Sequence, residues 1–309
     1  MPEATEPIPA PRESGFTSTT ENPLYWCAYG RPHAPRVLVL HGGPGADHEY
    51  LLPQFLDLAG EFELVFYDQR GGGQSRSDAR QSVTWETQVR DLERVIAELL
   101  ADAPTIVGYS WGAMLALLYA IEASRGRVSP APGRLALVDP APLTRAFRAQ
   151  FEAEFARRQH APEIERRRDQ LARSGLRESD PAAYRRRAFE LSVAGYFADP
   201  LRAEGLTPFH VVGRVQQSIW ESLGDYDLIR DLRGVRCPAL IVHGRDDPIP
   251  LASSEAAAAT TGAELVTLEG CGHVPYVERR SELFSTLLAF LKRQPAVDAD
   301  VPPGTRPRR

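Results

Sequence analysis

The chain has 309 residues, 43% of them hydrophobic, enough to bury a full core as one large domain or two small ones. Lys+Arg 36 against Asp+Glu 41 gives a formal net charge of -5, which leaves no electrostatic basis for nucleic-acid binding. No apolar run approaches the ~18–20 residues that would cross a bilayer.

Residues 1–15 are rich in Pro and Glu and lack the basic-then-apolar pattern of a signal peptide. Residues 1–20 and 294–309 are dense in Pro, charge and small polar residues, and read as flexible ends. Short apolar runs follow at 36–40, 64–66, 105–107, 135–138, 240–242 and 265–268. Runs this short and apolar fit strands covered on both faces, as in a parallel sheet. Amphipathic helices separate them. In 84–100, Trp85, Val89, Leu92, Val95, Ile96 and Leu99 recur at helical spacing, and 111–121 is apolar almost all round. The alternation predicts a doubly wound, mostly parallel α/β sheet, with core segments 21–142 and 232–293. From 143 to 231 no strand-like run appears, so this stretch reads as a helical insertion over the C-terminal strand ends, where open α/β sheets bind ligands. Its arginine clusters, Arg157-Arg158, Arg166 to Arg168 and Arg185 to Arg187, interleave with acids and read as solvated helix faces.

Gly108-Tyr109-Ser110-Trp111-Gly112 lies between a strand and a helix, the context of a nucleophile elbow. Glycines two positions either side of the serine allow a tight turn, and the serine oxygen stands at a helix N-terminus. A hydroxyl needs a base within hydrogen-bond reach. Of seven histidines, His273 lies after the last strand-like run and before the closing helix, where the base falls in the chain order Ser, Asp, His. The orienting acid should follow the preceding strand, where Asp246 and Asp247 stand together; Asp139, ending another strand, is a weaker candidate. Cys271 has no helix N-terminus or basic neighbour to make it a nucleophile. The three cysteines, Cys27, Cys237 and Cys271, form no CxxC pair and fit a reducing, cytoplasmic setting. His41-Gly42-Gly43-Pro44-Gly45 ends the strand at 36–40, and its glycines let backbone amides approach a substrate oxygen. The backbone amides of Gly43 and Trp111 are the expected oxyanion donors. As a phosphate loop the segment fails, for no lysine follows at the required spacing.

These residues resemble the proline iminopeptidase branch of the α/β-hydrolases. The resemblance rests on His41 to Gly45, on Asp68-Gln69-Arg70-Gly71-Gly72-Gly73-Gln74-Ser75 and on the elbow with Trp111, while His48 to Leu52 is similar to the tricorn-interacting aminopeptidases. It covers residues 22–142 and 232–292. It implies the α/β-hydrolase fold with a helical cap at 143–231 and favours Asp247, third after the strand-ending Gly244, as the acid. It also implies release of an N-terminal residue, often proline, from short peptides, with no metal or cofactor. Family members hold the free amino group with acidic residues of the cap, and the tricorn-interacting type also with a glutamate after the triad aspartate. Here that position is Pro248, and Gln216 stands nine residues before Asp225-Tyr226-Asp227, where a glutamate is expected. Glu221 beside Trp220 is the nearest substitute, with Glu190 and Glu204 behind it. Two further functions compete: an esterase, lactonase or amidase on a small acyl compound, and a non-enzymatic binding module on the same scaffold. The expected partner is a small-molecule or short-peptide substrate, neither nucleic acid nor membrane, and nothing in the residue pattern points to an oligomeric state.

Overall fold

The computed structural model describes residues 7–78, 81, 83–100 and 103–293. Apolar runs become strands at the expected places: β3 (Arg36–Leu40), β4 (Glu63–Tyr67), β5 (Thr105–Tyr109), β6 (Arg134–Val138), β7 (Ala239–Gly244) and β8 (Glu264–Leu268). Two more precede them, β1 (Glu13–Phe16) and β2 (Tyr25–Tyr29). The eight form one sheet in the order β1-β2-β4-β3-β5-β6-β7-β8, antiparallel at β1/β2 and β2/β4 and parallel elsewhere. Both faces are covered, and side chains alternate between them. Leu38 and Leu40 join the apolar cluster of one face, Val37 and Val39 that of the other; Leu135 and Leu137 alternate likewise with Ala136 and Val138. This two-sided burial is why the strands read as unbroken apolar runs.

Within 1–20, where a flexible end is expected, residues 13–16 form a strand, and residues 1–6 lie outside the described residues. Glu13–Phe16 pairs along β2, and Arg12 reaches the buried Glu63 of β4. Only Phe16 of that strand is a large apolar residue, and it is 54% exposed, so pairing with β2 orders the segment and no burial pattern announces it. The tail at 294–309 lies outside the described residues.

On one face lie α1 (Trp85–Leu99) and α2 (Trp111–Ser124). Thr84 caps α1, its hydroxyl accepting from the Thr87 amide while the Thr87 hydroxyl accepts from the Thr84 amide. The stripe Val89, Leu92, Val95, Ile96 and Leu99 is buried, and each such side chain contributes about 1.5–3 kcal/mol. Within α2, residues from Trp111 to Glu122 are all buried, as its apolar circumference requires. Between β6 and β7 the chain forms α3 (Arg145–Gln159), α4 (Pro162–Arg173), α5 (Leu176–Ser179), α6 (Pro181–Val193), α7 (Gly213–Leu223) and α8 (Leu228–Asp231). The arginines here pair locally with acids: Arg157 and Arg158 with Glu154, Arg166 and Arg167 with Glu163, Arg186 and Arg187 with Glu190. After β7 come α9 (Leu251–Thr261), α10 (Pro275–Glu278) and α11 (Arg280–Leu291), the last packing Leu283, Phe284 and Leu287 on the second face. No helix among the described residues is long and apolar enough to cross a membrane.

Candidate active site

The parallel register places strand ends side by side: Leu40 pairs with Gly108, Tyr109 with Val138, and Val138 with Val242. The loops that leave this end of the sheet hold the candidate residues Ser110, Asp247 and His273. Ser110 follows β5 directly, with φ 54° and ψ -117°, a conformation that costs a non-glycine residue about 1–3 kcal/mol. Its neighbours hold it there. The Ser110 amide donates to the Val138 carbonyl at 2.9 Å, and its own carbonyl accepts from Ala113, Met114 and Ala141. The flanking glycines are needed for close approach: a Cβ on Gly108 would lie 2.6 Å from the Ala113 Cα, and one on Gly112 2.2 Å from the Leu40 carbonyl oxygen.

His273 lies between β8 and α10. Its Nε2 is 2.9 Å from Ser110 Oγ and its Nδ1 is 2.7 Å from Asp247 Oδ2. An ionised carboxylate only accepts, so Nδ1 carries the hydrogen and Nε2 is free to accept from the serine hydroxyl. The His273 backbone is fastened at both ends, its amide donating to the Tyr196 carbonyl at 2.7 Å and its carbonyl accepting from the Tyr109 hydroxyl at 2.8 Å. Asp247 follows β7 and is buried, and its Oδ1 accepts from the Ile249 amide at 2.7 Å. Burial opposes its charge, but His273, His243 and the Ile249 amide hold its carboxyl below the usual carboxylate range. Asp246, one residue earlier, is exposed. Cys271 is buried, and burial pushes its thiol far up, away from a nucleophilic thiolate.

Across from the serine, Gly43 has φ 131°, a backbone state that favours glycine. Among the described residues, neither the Gly43 nor the Trp111 amide is engaged in a turn, loop or cap hydrogen bond. A network that sequence reasoning missed ties the Trp111 ring to the loop that begins at His41. Gln69 accepts from the Trp111 indole at 2.8 Å, donates its side-chain amide to the His41 carbonyl at 2.7 Å and its backbone amide to His41 Nε2 at 3.1 Å. Burial lowers His41 to about 4, so its ring is neutral and can accept there. Behind it, His48 Nδ1 contacts Asp68 Oδ1 at 2.7 Å, and Asp68 Oδ2 accepts from the Gln74 amide at 2.8 Å. The signal was the Asp68-Gln69-Arg70 run itself, which reads as a motif and not as a set of hydrogen-bonding groups.

The residues expected to meet substrate are scattered. Trp220 packs its ring 5.7 Å from that of Trp111 and carries the Arg148 guanidinium 4.3 Å over its face. Gln216 is half-buried near the start of α7, where the Val212 amide donates to the Gly45 carbonyl. Glu221 does not join them. It lies on the exposed side of α7 and accepts from Gln217 one turn earlier at 2.7 Å. Glu190 and Glu204 line a separate cavity of about 470 Å³ with Ile164, Arg167 and Leu201. Closer to the site, Tyr196 lies 5.2 Å from the His273 ring with Phe155 at 4.4 Å beyond it.

The sequence pattern of the alpha/beta hydrolase family matches residues 37–286. A proline iminopeptidase of Xanthomonas citri is 40% identical over 103 residues, 33% of this chain and 32% of that protein, so the match spans about a third of its length. A proline iminopeptidase of Lactobacillus delbrueckii subsp. lactis is 27% identical over 274 residues, 84% of this chain and 90% of that protein. The crystal structure of a proline iminopeptidase from Mycobacterium smegmatis superposes with a TM-score of 0.62 at 23% identity, covering 90% of this chain and 97% of that one. With the sheet order, the elbow and a family match over most of its length, the chain belongs to the alpha/beta hydrolase family.

Proposed function

We propose that the chain is a serine hydrolase working through an acyl-enzyme, and that it releases N-terminal proline or a small residue from short peptides. The observation that carries the chemistry is the contact series from Asp247 to His273 at 2.7 Å and from His273 to Ser110 at 2.9 Å. In this reading Ser110 Oγ adds to the substrate carbonyl as its proton passes to His273 Nε2. The carbonyl oxygen takes the negative charge between the Gly43 and Trp111 amides. Collapse breaks the C–N bond, and the leaving amine takes the proton from Nε2. Water then enters by the same route, frees the acyl group and returns Ser110. Asp247 keeps the Nδ1–H aimed and balances the imidazolium.

The peptide half of the proposal rests on likeness to proline iminopeptidases, one of them matched over 90% of its length. A second reading, hydrolysis of a small ester, lactone or amide, is favoured by the exposure of Glu221 and the engagement of Glu190 with Arg186 and Arg187. A substrate ammonium would then lack those carboxylates as partners. Prolyl and alanyl arylamides, free and N-blocked, and a p-nitrophenyl ester separate the readings. The peptide reading expects release from the free amines and none from the blocked ones, since a site built for an ammonium loses its charged partner on blocking. Equal cleavage of blocked and free arylamides, or cleavage of esters alone, replaces it with the small-acyl reading. Failure of a fluorophosphonate probe to label Ser110 would remove both.

A further inference from the structure

Two buried carboxyl groups meet behind the Asp247–His273–Ser110 series. Asp139 follows β6 as Asp247 follows β7, and because the strands are parallel neighbours their ends lie together. Asp139 has no solvent exposure and sits at φ 41°, a strained backbone for a non-glycine residue. Its Oδ1 accepts from the Gly244 amide at 2.8 Å. Its Oδ2 is buried, and no N–H or O–H group of the described residues donates to it. An oxygen of Asp139, a nitrogen of His243 and an oxygen of Asp247 lie within 4.8 Å of one another.

An unpaired carboxylate oxygen without solvent is costly, whereas a protonated one becomes a donor and needs only an acceptor. Asp247 is the acceptor at hand. Among the described residues, the groups around the pair offer no other neutralisation. His243 Nε2 faces the Ile249 carbonyl at 3.1 Å and its Nδ1 faces the Ser254 hydroxyl at 2.9 Å, while its nearest approach to either carboxyl is 3.8 Å. Burial lowers its pKa and keeps the ring neutral. Glu278 adds a like charge to the surroundings, and Tyr109, Tyr276 and Cys271 are neutral groups whose ionisation Asp139 opposes. His273 is the partner that hydrogen-bonds Asp247, and its Nε2 accepts from Ser110. A metal ion at this trio would have to take Asp247 away from His273.

We infer that Asp139 is a protonated carboxylic acid that donates its Oδ2–H to Asp247, holding the single negative charge of the pair on the oxygens that face His273. Burial, and then the charge of Asp247, push the Asp139 carboxyl well above the carboxylate range. Asp139 is thus a positioning residue. It lowers the basicity of Asp247, so the Nδ1 proton stays on His273 when the imidazolium forms, and it keeps a second negative charge from trapping His273 in its protonated form. No bond to substrate is made by Asp139, and one proton is shared by two carboxyls throughout. The inference rests on the proposed roles of Ser110, His273 and Asp247.

The test compares wild type with Asp139→Asn and Asp139→Ala, at matched melting temperatures, by kcat and kcat/KM against pH on a p-nitrophenyl ester. It adds infrared difference spectra in the region of the protonated carboxyl stretch. Asparagine reproduces a neutral group with an N–H donor, so Asp139→Asn should stay within about threefold of wild-type kcat and keep its pH profile. Alanine removes the donor. Its kcat should fall by roughly 10- to 100-fold with KM little changed, and the acid limb of kcat/KM should move to higher pH as Asp247 grows more basic. The wild type should show a protonated carboxyl band that Asp139→Asn lacks. An equal loss in both variants, or a wild type without that band, overturns the inference. Should the alanine variant fail to fold, the asparagine variant and the band decide alone. The band reads the proton without turnover, so a protein that failed fluorophosphonate labelling would lose its hydrolase reading while the protonation of Asp139 was still decided.

Discussion

Two adjacent aspartates, Asp246 and Asp247, differ by one residue in sequence and by everything in environment: the first is exposed, the second is buried against His273. Asp247→Asn should therefore lower turnover by about 10⁴, because the imidazole loses the acceptor that fixes its tautomer, while Asp246→Asn changes it little. Ser110→Ala should abolish fluorophosphonate labelling and cut turnover by roughly 10⁴- to 10⁶-fold, with His273→Ala adding little in that background. Steady-state rates and labelling of purified variants check both, and wild-type turnover in Ser110→Ala would move the nucleophile elsewhere. That Ser110 and His273 come together was legible because an elbow and a loop before the closing helix are local patterns. Asp247 needed the likeness to the proline iminopeptidases to separate it from Asp246, since no spacing tells which of two neighbours turns inward. Glu221 was misplaced for a related reason. Proximity to Trp220 in sequence does not mean a shared face, and on α7 these consecutive residues point about 100° apart.

Most elements were legible where burial marks them, although β2, buried at Cys27, Ala28 and Tyr29, was not among the expected runs. The apolar runs of β3 to β8 declared themselves, whereas β1 is an edge held by pairing with β2. The loops at 41–50 and 68–75 are recognisable as motifs, but their mutual attachment through Gln69 and through the His48–Asp68 pair is a tertiary fact. That pair gives a pH signature. Burial alone would lower His48, yet its hydrogen bonds to Asp68 and Cys27 raise it from 6.5 to about 10. A raised folded pKa stabilises fully below the unfolded value of 6.5 and is lost as pH rises through about 10. Asp68 is lowered despite its burial, chiefly by its hydrogen bond to His48, so its contribution is present above 3.8 and disappears as pH falls below that. The melting-temperature deficit of His48→Gln should thus be largest between pH 3.8 and 6.5 and shrink toward pH 10. Thermal melts across that range measure it, and a deficit independent of pH would mean that packing, not charge, joins the two loops.

At the scale of the whole molecule, one of the junctions between the β6–β7 segment and the loops that hold His273 is built on a single carboxylate. The Glu278 carboxylate, on α10, accepts from the amides of Ala198 and Asp199 at 3.0 and 3.2 Å and from that of Gly272 at 2.7 Å. Replacing Glu278 with Ala takes the acceptor from the buried Gly272 amide and from the amides of the exposed Ala198 and Asp199. A buried donor left without its partner costs about 1–3 kcal/mol, so the melting temperature should drop along with kcat on a small ester that needs no contact with the helices. Rates and melts on the same preparation test this, and a full kcat with a lowered melting temperature would confine Glu278 to stability. The His273 amide donates to the Tyr196 carbonyl within the same junction. If His273 is the base proposed above, its attachment to this segment does not let selectivity and speed vary separately. Lineages or laboratories that remodel this segment for a new substrate must keep the Tyr196–Asp199 turn in register with Gly272 and His273. A helical segment grafted whole from a relative should arrive with a new preference and a slower serine.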